Sequence, residues 1–165
     1  MADVVAPVAE DRLTSLLREQ FGHDEFREGQ KEIMSAVLGG RDALAIMPTG
    51  SGKSLIYQLP AQLLDGLTVV VSPLIALMHD QLRAARANGI RAATLTSVDE
   101  DRAATVAAFR AGELDLLYVA PERASQPHFR ELLGSAPLAL FAVDEAHCVS
   151  EWGTTSAPTT ACCAR

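Results

Sequence analysis

Aromatic residues are scarce in this chain. Phe, Tyr and Trp together make up 5% of its 165 residues. A core must therefore rest on Leu, Val, Ile and Ala. Positive charge is scarce as well, with a formal net charge of −7. That argues against a broad basic field for nucleic acid, but leaves room for a narrow groove lined by a few Arg and polar groups. The three cysteines, Cys148, Cys162 and Cys163, form no C-x-x-C pair, so the sequence offers neither a disulfide framework nor a zinc site. The first residues lack a basic segment followed by an apolar run, which excludes a signal peptide. No apolar stretch is long enough to span a bilayer. The expected setting is cytoplasmic and reducing.

What is present is ordinary for a globular domain: 48% apolar and 21% charged residues, in a chain long enough for one core. Residues 1–11 read as a disordered tail. Leu13, Leu16 and Leu17 recur at helical spacing, and Gly22 stops that helix. A second helix fits residues 27–38, ended by Gly39 and Gly40. A short apolar run over 43–47 then leads into a glycine-rich loop. Beyond it, apolar runs at 68–72, 91–95, 114–119 and 138–143 alternate with helical patterns at 76–88, 99–111 and 128–133. Strands alternating with helices predict an α/β fold with a parallel sheet covered on both faces.

The loop reads MPTGSGKS over residues 47–54. Gly50 and Gly52 let the backbone curl around phosphate oxygens without a Cβ in the way. Lys53 is placed to reach the β- and γ-phosphates of a nucleoside triphosphate, and Ser54 to put its hydroxyl on a magnesium ion. A helix beginning there aims its N-terminus at the anion. The strict pattern has Gly six positions before the Lys, where this chain has Met47. A glycine turn ahead of a surface Lys is the blander reading, but it gives no reason for the following Ser. Asp144 and Glu145 stand at the carboxyl end of a buried strand, the side on which open α/β sheets bind ligands. In such a site Asp144 holds Mg²⁺ directly or through water. Glu145 orients and deprotonates the attacking water, and His147 is placed to couple the nucleotide state to a neighbouring segment.

From residue 13 to residue 153 the chain resembles the N-terminal part of RecQ-type ATP-dependent DNA helicases, within superfamily 2. FGHDEFREGQ over residues 21–30 resembles that family's adenine-reading motif. The resemblance implies that Gln30 reads the adenine edge, His23 stacks on the base and Arg27 supports the nucleotide. MPTGSGKSLIYQLPA over 47–61 resembles its phosphate loop, in which Met at the first position is usual. Thr49, Gly50, Ser51, Gly52, Lys53 and Ser54 would then line the phosphates. VVSPLIALMHDQ over 70–81 and YVAPER over 118–123 resemble segments that lie along single-stranded DNA in the family, with Ser72 and Arg123 as the candidate contacts. DEAHCVSEWG over 144–153 resembles the acidic box running into an aromatic-rich, DNA-sensing loop, of which Trp152 is the first aromatic. The resemblance implies a RecA-like first motor domain over residues 12–153. It also implies ATP and Mg²⁺ as cofactors, single-stranded or forked DNA as partner, 3′-to-5′ unwinding as the activity, and a place in DNA repair and recombination.

Residues 154–165, TTSAPTTACCAR, depart from the family. With GC-rich codons chosen to fit, removing one base in the Gly153 codon converts the family-like continuation His-Asp-Phe-Arg-Pro-Asp-Tyr into this tail. A reading-frame slip is the expectation. The tail has no periodicity and promises neither helix nor strand. The strand that follows the acidic box in this fold is therefore expected to be missing, leaving unpaired edges in the middle of the sheet. Two alternatives to a helicase motor stand beside it. One is a truncated, non-catalytic fragment that at best binds ATP or single-stranded DNA. The other is a different P-loop NTPase, such as a small kinase.

Overall fold

The computed structural model describes residues 5–48, 50–96, 101–146 and 160–164, with residues 5–10 and 160–164 as backbone only. Helix α1 spans Val5–Phe21 and α2 spans Gln30–Leu38. Helix α1 therefore begins inside the segment expected to be a disordered tail. Its stripe of Leu13 and Leu17 is completely buried, so docking of the later turns supports a helix that continues towards the N-terminus.

Strand β1, Ala43–Ala45, leads into the glycine loop. The helix after the loop is a single turn, α3, Leu55–Gln58. Pro60 has no N–H to donate to residue 56 and its ring crowds the preceding turn, so the chain tightens into a 3₁₀ turn over Pro60–Gln62. Then follow β2 (Leu67–Val71), α4 (Ile75–Ala87), β3 (Ala92–Leu95), α5 (Arg102–Arg110), β4 (Leu116–Val119), α6 (Pro121–Ala124), α7 (Pro127–Leu133) and β5 (Leu138–Val143). Each expected strand is present within about three residues of its expected ends, the usual looseness of boundaries read from pattern. The one-turn helix α6 was not anticipated.

Strands β3, β4, β2 and β5 run parallel, in that order across the sheet. Successive residues point to opposite faces, and the sheet divides two cores accordingly. Val70, Leu116, Tyr118 and Leu140 pack with Leu13, Met34, Ile56 and Met78 on one face. Val69, Leu117 and Val119 pack with Phe109, Phe129 and Leu132 on the other. Strand β2 is buried along its whole length, as a central parallel strand must be.

The sheet nonetheless differs from the expectation at one place. The slot between β1 and β5 is filled by β6, Thr160–Ala164, drawn from the tail that promised no strand. It pairs antiparallel with both neighbours: Cys162 stands opposite Ala43 on one side and Ala142 on the other. The reason is that sheet pairing satisfies backbone N–H and C=O groups whatever the side chains. An open slot with two unpaired edges therefore accepts any extended segment free of Pro that can reach it. The expected gap in the sheet is thus corrected, and the sheet is mixed rather than wholly parallel.

A proline in this strand tests the pairing, because a strand bonded on both sides always loses a ladder hydrogen bond to Pro. Cys162→Pro leaves a buried carbonyl without its donor, at a cost of about 1–3 kcal/mol. At roughly 2–4 °C per kcal/mol for a chain of this size, thermal unfolding followed by circular dichroism should move down by about 2–12 °C. An unchanged midpoint would show that β6 contributes nothing to the sheet.

Candidate nucleotide and metal site

The parallel strands deliver their carboxyl ends to one edge. Asp144 N–H donates to the Val71 carbonyl at 2.8 Å and Ser72 N–H to the Val119 carbonyl at 3.1 Å, so the ends of β5, β2 and β4 are tied together there. The glycine loop arrives at the same edge. Gly50 and Gly52 both hold φ of 80°, a left-handed conformation that glycine adopts without strain. A Cβ on Gly52 would also meet the Gln30 amide nitrogen at 2.8 Å. The N–H groups of Gly52, Lys53 and Ser54 donate to no backbone carbonyl among the described residues.

Lys53 reaches across to Glu145, with Nζ 3.7 Å from Oε1, and both side chains are mostly buried. Glu145 is the one described non-glycine residue at positive φ, 53°, a conformation that costs about 1–3 kcal/mol. Its N–H donates to its neighbour's Asp144 Oδ1 at 2.9 Å, which helps to hold the turn. Asp144 itself is buried. Its Oδ2 lies 3.3 Å from the Tyr57 hydroxyl and 3.4 Å from the Gln81 amide nitrogen. That nitrogen also donates to Ser54 Oγ at 3.2 Å. One cation, one hydroxyl and two carboxylates thus meet at the mouth of a glycine loop whose N–H groups at 52–54 donate to no backbone carbonyl among the described residues. This donor set fits a magnesium-bound polyphosphate: hard oxygens for the ion, and N–H groups plus an ammonium for the anion.

Behind the site lies a buried polar layer. Gln58 donates to the Tyr118 hydroxyl at 2.8 Å, and the rings of Tyr57 and Tyr118 meet edge to face at 6.3 Å. Burial pushes the Tyr118 hydroxyl up to about 12 and raises Tyr57 well above its ordinary range.

The residues expected to read adenine make other contacts in this conformation. Gln30 is buried, and both ends of its carboxamide are taken. Its oxygen accepts from Arg27 N–H at 2.9 Å, and its nitrogen donates to the carbonyls of Ser51 and Gly52, each at 3.1 Å. Arg27 Nη1 donates to the Gly50 carbonyl. In this conformation both residues latch the glycine loop, and neither is free for a base edge. His23 is exposed. Arg27 lines a cavity of about 410 Å³ with Arg18, Phe26 and Lys31.

Two of the expected DNA contacts, Ser72 and Arg123, are not on the surface. Ser72 is fully buried, and its hydroxyl has no partner among the described residues. Arg123 is also buried and turns to the Gln126 oxygen at 2.8 Å and the His128 ring at 3.0 Å. The exposed groups of that region include the large apolar side chains Leu74 and Leu77, together with His79 and Asp80. The physical reason is the pairing at the strand ends, which draws the first residue after β2 into the core. Thr49, His147 and Trp152 lie outside the described residues. Sequence reasoning missed Tyr57, Gln58 and Gln81. The available signal was a Gln on the apolar stripe of α4, in register with Met78, Leu82 and Ala85, all buried.

With the geometry in place, comparison with known proteins is decisive. The family model for DEAD/DEAH box helicases matches residues 27–161. The chain belongs to that family. Within it, the kinship is to RecQ-type enzymes. The chain is 47% identical over 141 residues to the ATP-dependent DNA helicase RecQ of Haemophilus influenzae, covering 84% of this chain and 23% of the relative. It is 43% identical over 143 residues to the probable ATP-dependent DNA helicase RecS of Bacillus subtilis, covering 86% of this chain and 29% of the relative. The chain therefore spans about a quarter of the length of these relatives. A crystal structure of a hypothetical ATP-dependent RNA helicase from Sulfolobus tokodaii superposes with a TM-score of 0.63 over 87% of this chain and 43% of that one, at 22% identity. That likeness bears on the fold, an incomplete RecA-like domain. The family match sets aside the alternative of a small P-loop kinase. Among the described residues, no helix is long and apolar enough to cross a membrane.

Two outcomes check this site. Gln30→Ala strands the Arg27 N–H and two loop carbonyls, at a cost of about 1–3 kcal/mol. Hydrogen exchange over residues 50–54 should accelerate and the thermal midpoint fall by about 2–12 °C; unchanged exchange would mean the latch is not formed. The tyrosines make the second. Their folded pKa values lie above an unfolded value near 10, so their contribution is whole below about pH 10 and is lost as pH rises through about 12. The midpoint should therefore fall between pH 10 and 12, less steeply in Tyr118→Phe; parallel curves for the two proteins would refute it.

Proposed function

We propose that this chain is the nucleotide-binding portion of a RecQ-type DNA helicase motor, one that couples ATP hydrolysis to 3′-to-5′ unwinding of single-stranded or forked DNA substrates in cytoplasmic DNA repair and recombination. The observation that carries the reading is the meeting of Lys53, Ser54, Asp144 and Glu145 at the glycine loop, with Lys53 Nζ 3.7 Å from Glu145. In this reading Gly50, Ser51, Gly52 and Lys53 hold the phosphates together with Thr49. Ser54 and Asp144 hold Mg²⁺, which would neutralise phosphate charge when bound. Glu145 orients the attacking water. Arg27, Gln30 and His23 turn to the base once the latch on the loop is released. Ser72 and Arg123 support the DNA-facing loops from within, and Trp152 belongs to the DNA-sensing loop.

A second reading concerns capability. Because the chain spans 23% of its RecQ relative, we propose that the 165-residue protein alone binds nucleotide without unwinding DNA. Motors of this class place their transition-state arginine in another part of the machine, a contribution of about 10³–10⁵ in rate where measured in related chemistry.

Calorimetric titration with ATP and Mg²⁺ tests both readings. Binding is expected in the wild-type chain and about tenfold or more weaker in Lys53→Ala, the loss of a charge-assisted contact of about 1.5–3 kcal/mol. Equal binding by both proteins removes the nucleotide reading. Strand separation of a forked duplex by the purified chain removes the second.

A further inference from the structure

Gln81 has no role in the reading above, yet it stands at the centre of the metal site. It lies at the middle of α4, with Met78, Leu82 and Ala85 on the same buried stripe. The segment that carries it was expected to face DNA. Its side chain instead points the other way. The amide nitrogen donates to Ser54 Oγ at 3.2 Å and to Asp144 Oδ2 at 3.4 Å, while the amide oxygen lies 3.2 Å from the Tyr57 hydroxyl.

The donor count makes this arrangement specific. A carboxamide nitrogen has two protons and no acceptor capacity, so one proton serves the serine and the other the carboxylate. The Tyr57 hydroxyl has one proton, and the acceptors within its reach include Gln81 Oε1 at 3.2 Å and Asp144 Oδ2 at 3.3 Å. Donation to Gln81 fixes which end of the carboxamide faces the site. With the nitrogen inward, Ser54 Oγ uses one lone pair to accept from Gln81 and keeps the other. Asp144 Oδ1 accepts from the Glu145 N–H at 2.9 Å, on the side of the carboxylate away from Gln81. The two groups that fit a hard cation are thus held together through one amide nitrogen before any ion arrives. Leu at position 81 would fill the same space and hold neither.

We propose that Gln81 is a positioning residue for the divalent cation: through its amide nitrogen it sets Ser54 and Asp144 for the ion, with Tyr57 fixing the orientation of the carboxamide. The proposal rests on the nucleotide-binding reading. Residues that orient metal ligands from behind typically contribute 10- to 100-fold to metal affinity.

The test is the magnesium dependence of binding, read with a fluorescent ADP derivative and the full 165-residue chain. Gln81→Leu should bind the probe in EDTA as wild type does. The Mg²⁺ concentration needed for half of the tightening should rise about 10- to 100-fold. A purely structural residue would weaken binding equally with and without Mg²⁺, and that outcome overturns the proposal. A lowered Mg²⁺ requirement overturns it too, since the amide would then be competing with the ion. A second measurement needs neither nucleotide nor a variant at position 81. The side-chain amide protons of Gln81, observed by ¹⁵N NMR in the nucleotide-free chain, should exchange slowly and shift in both Ser54→Ala and Asp144→Asn. Rapid exchange with no shift overturns the proposal even if ADP binds. Failure of the wild type to bind the probe at any Mg²⁺ concentration fails the nucleotide reading instead, and the amide signals then decide whether Gln81 bridges the two side chains.

Discussion

Strand β1, which carries the glycine loop, has no direct ladder with β5; β6 lies between them and pairs with both. Everything at the site depends on that join. Lys53 and Ser54 follow β1, whereas Asp144 and Glu145 follow β5. A 3.7 Å contact between Lys53 and Glu145 requires the two strands to keep a fixed separation, and one strand's width between them sets it, at about 4.8 Å per pairing. The direction of the intervening strand matters less than its presence. An antiparallel insertion offers ladder hydrogen bonds to both neighbours, as a parallel one would, with a different spacing along the strand.

The second join is made by side chains. Gln30 and Arg27 fasten the loop to the start of α2, and Gln81 with Tyr57 fastens it to α4 and Asp144. Apart from the exposed Arg27–Gly50 bond, these bonds are buried or partly buried, where a hydrogen bond is worth more and an orphaned group costs more than at the surface. The polar layer therefore places the loop in a way that apolar packing alone would not, since Leu and Val contacts are indifferent to rotation and small slips. Tyr118 and Gln58 extend the layer under the sheet, so that the site rests on a strand that contributes no group to it.

Much of this was legible in the sequence, because the relevant signals are periodic or local. The parallel strands β2 and β5 are continuous apolar runs, and their carboxyl ends deliver Ser72 and Asp144 to one edge. The glycine loop carries its conformation in Gly50 and Gly52, both at φ of 80°. What was not legible depends on partners distant in sequence. Residues 160–164 have no strand pattern and become a strand only because β1 and β5 leave a slot. Ser72 and Arg123 read as surface contacts from motif resemblance, but burial is a property of the packed sheet and of α6 and α7, which a motif does not encode. Gln81 was part of a recognised segment and was overlooked because the segment as a whole was assigned to one face. A helix has two faces, and a polar residue in register with buried Met78 and Leu82 belongs to the inner one.

The conformation described is one in which the site's own groups satisfy each other. Lys53 faces Glu145, Gln30 occupies the loop carbonyls, and Gln81 spans Ser54 and Asp144. A polyphosphate entering such a site must take Lys53 from Glu145, and a base can claim Gln30 only after the loop carbonyls give it up. Each exchange lowers the apparent affinity by the fraction of molecules in which the latch is already open. The exchanges also have a direction. In the proposed reading, a phosphate that draws Lys53 to itself also ends the Lys53–Glu145 ion pair, so the arrival of the anion changes the surroundings of Glu145 in the same event. That economy follows from placing the two residues after β1 and β5, the strands on either side of β6, so it depends on the strand that spaces them.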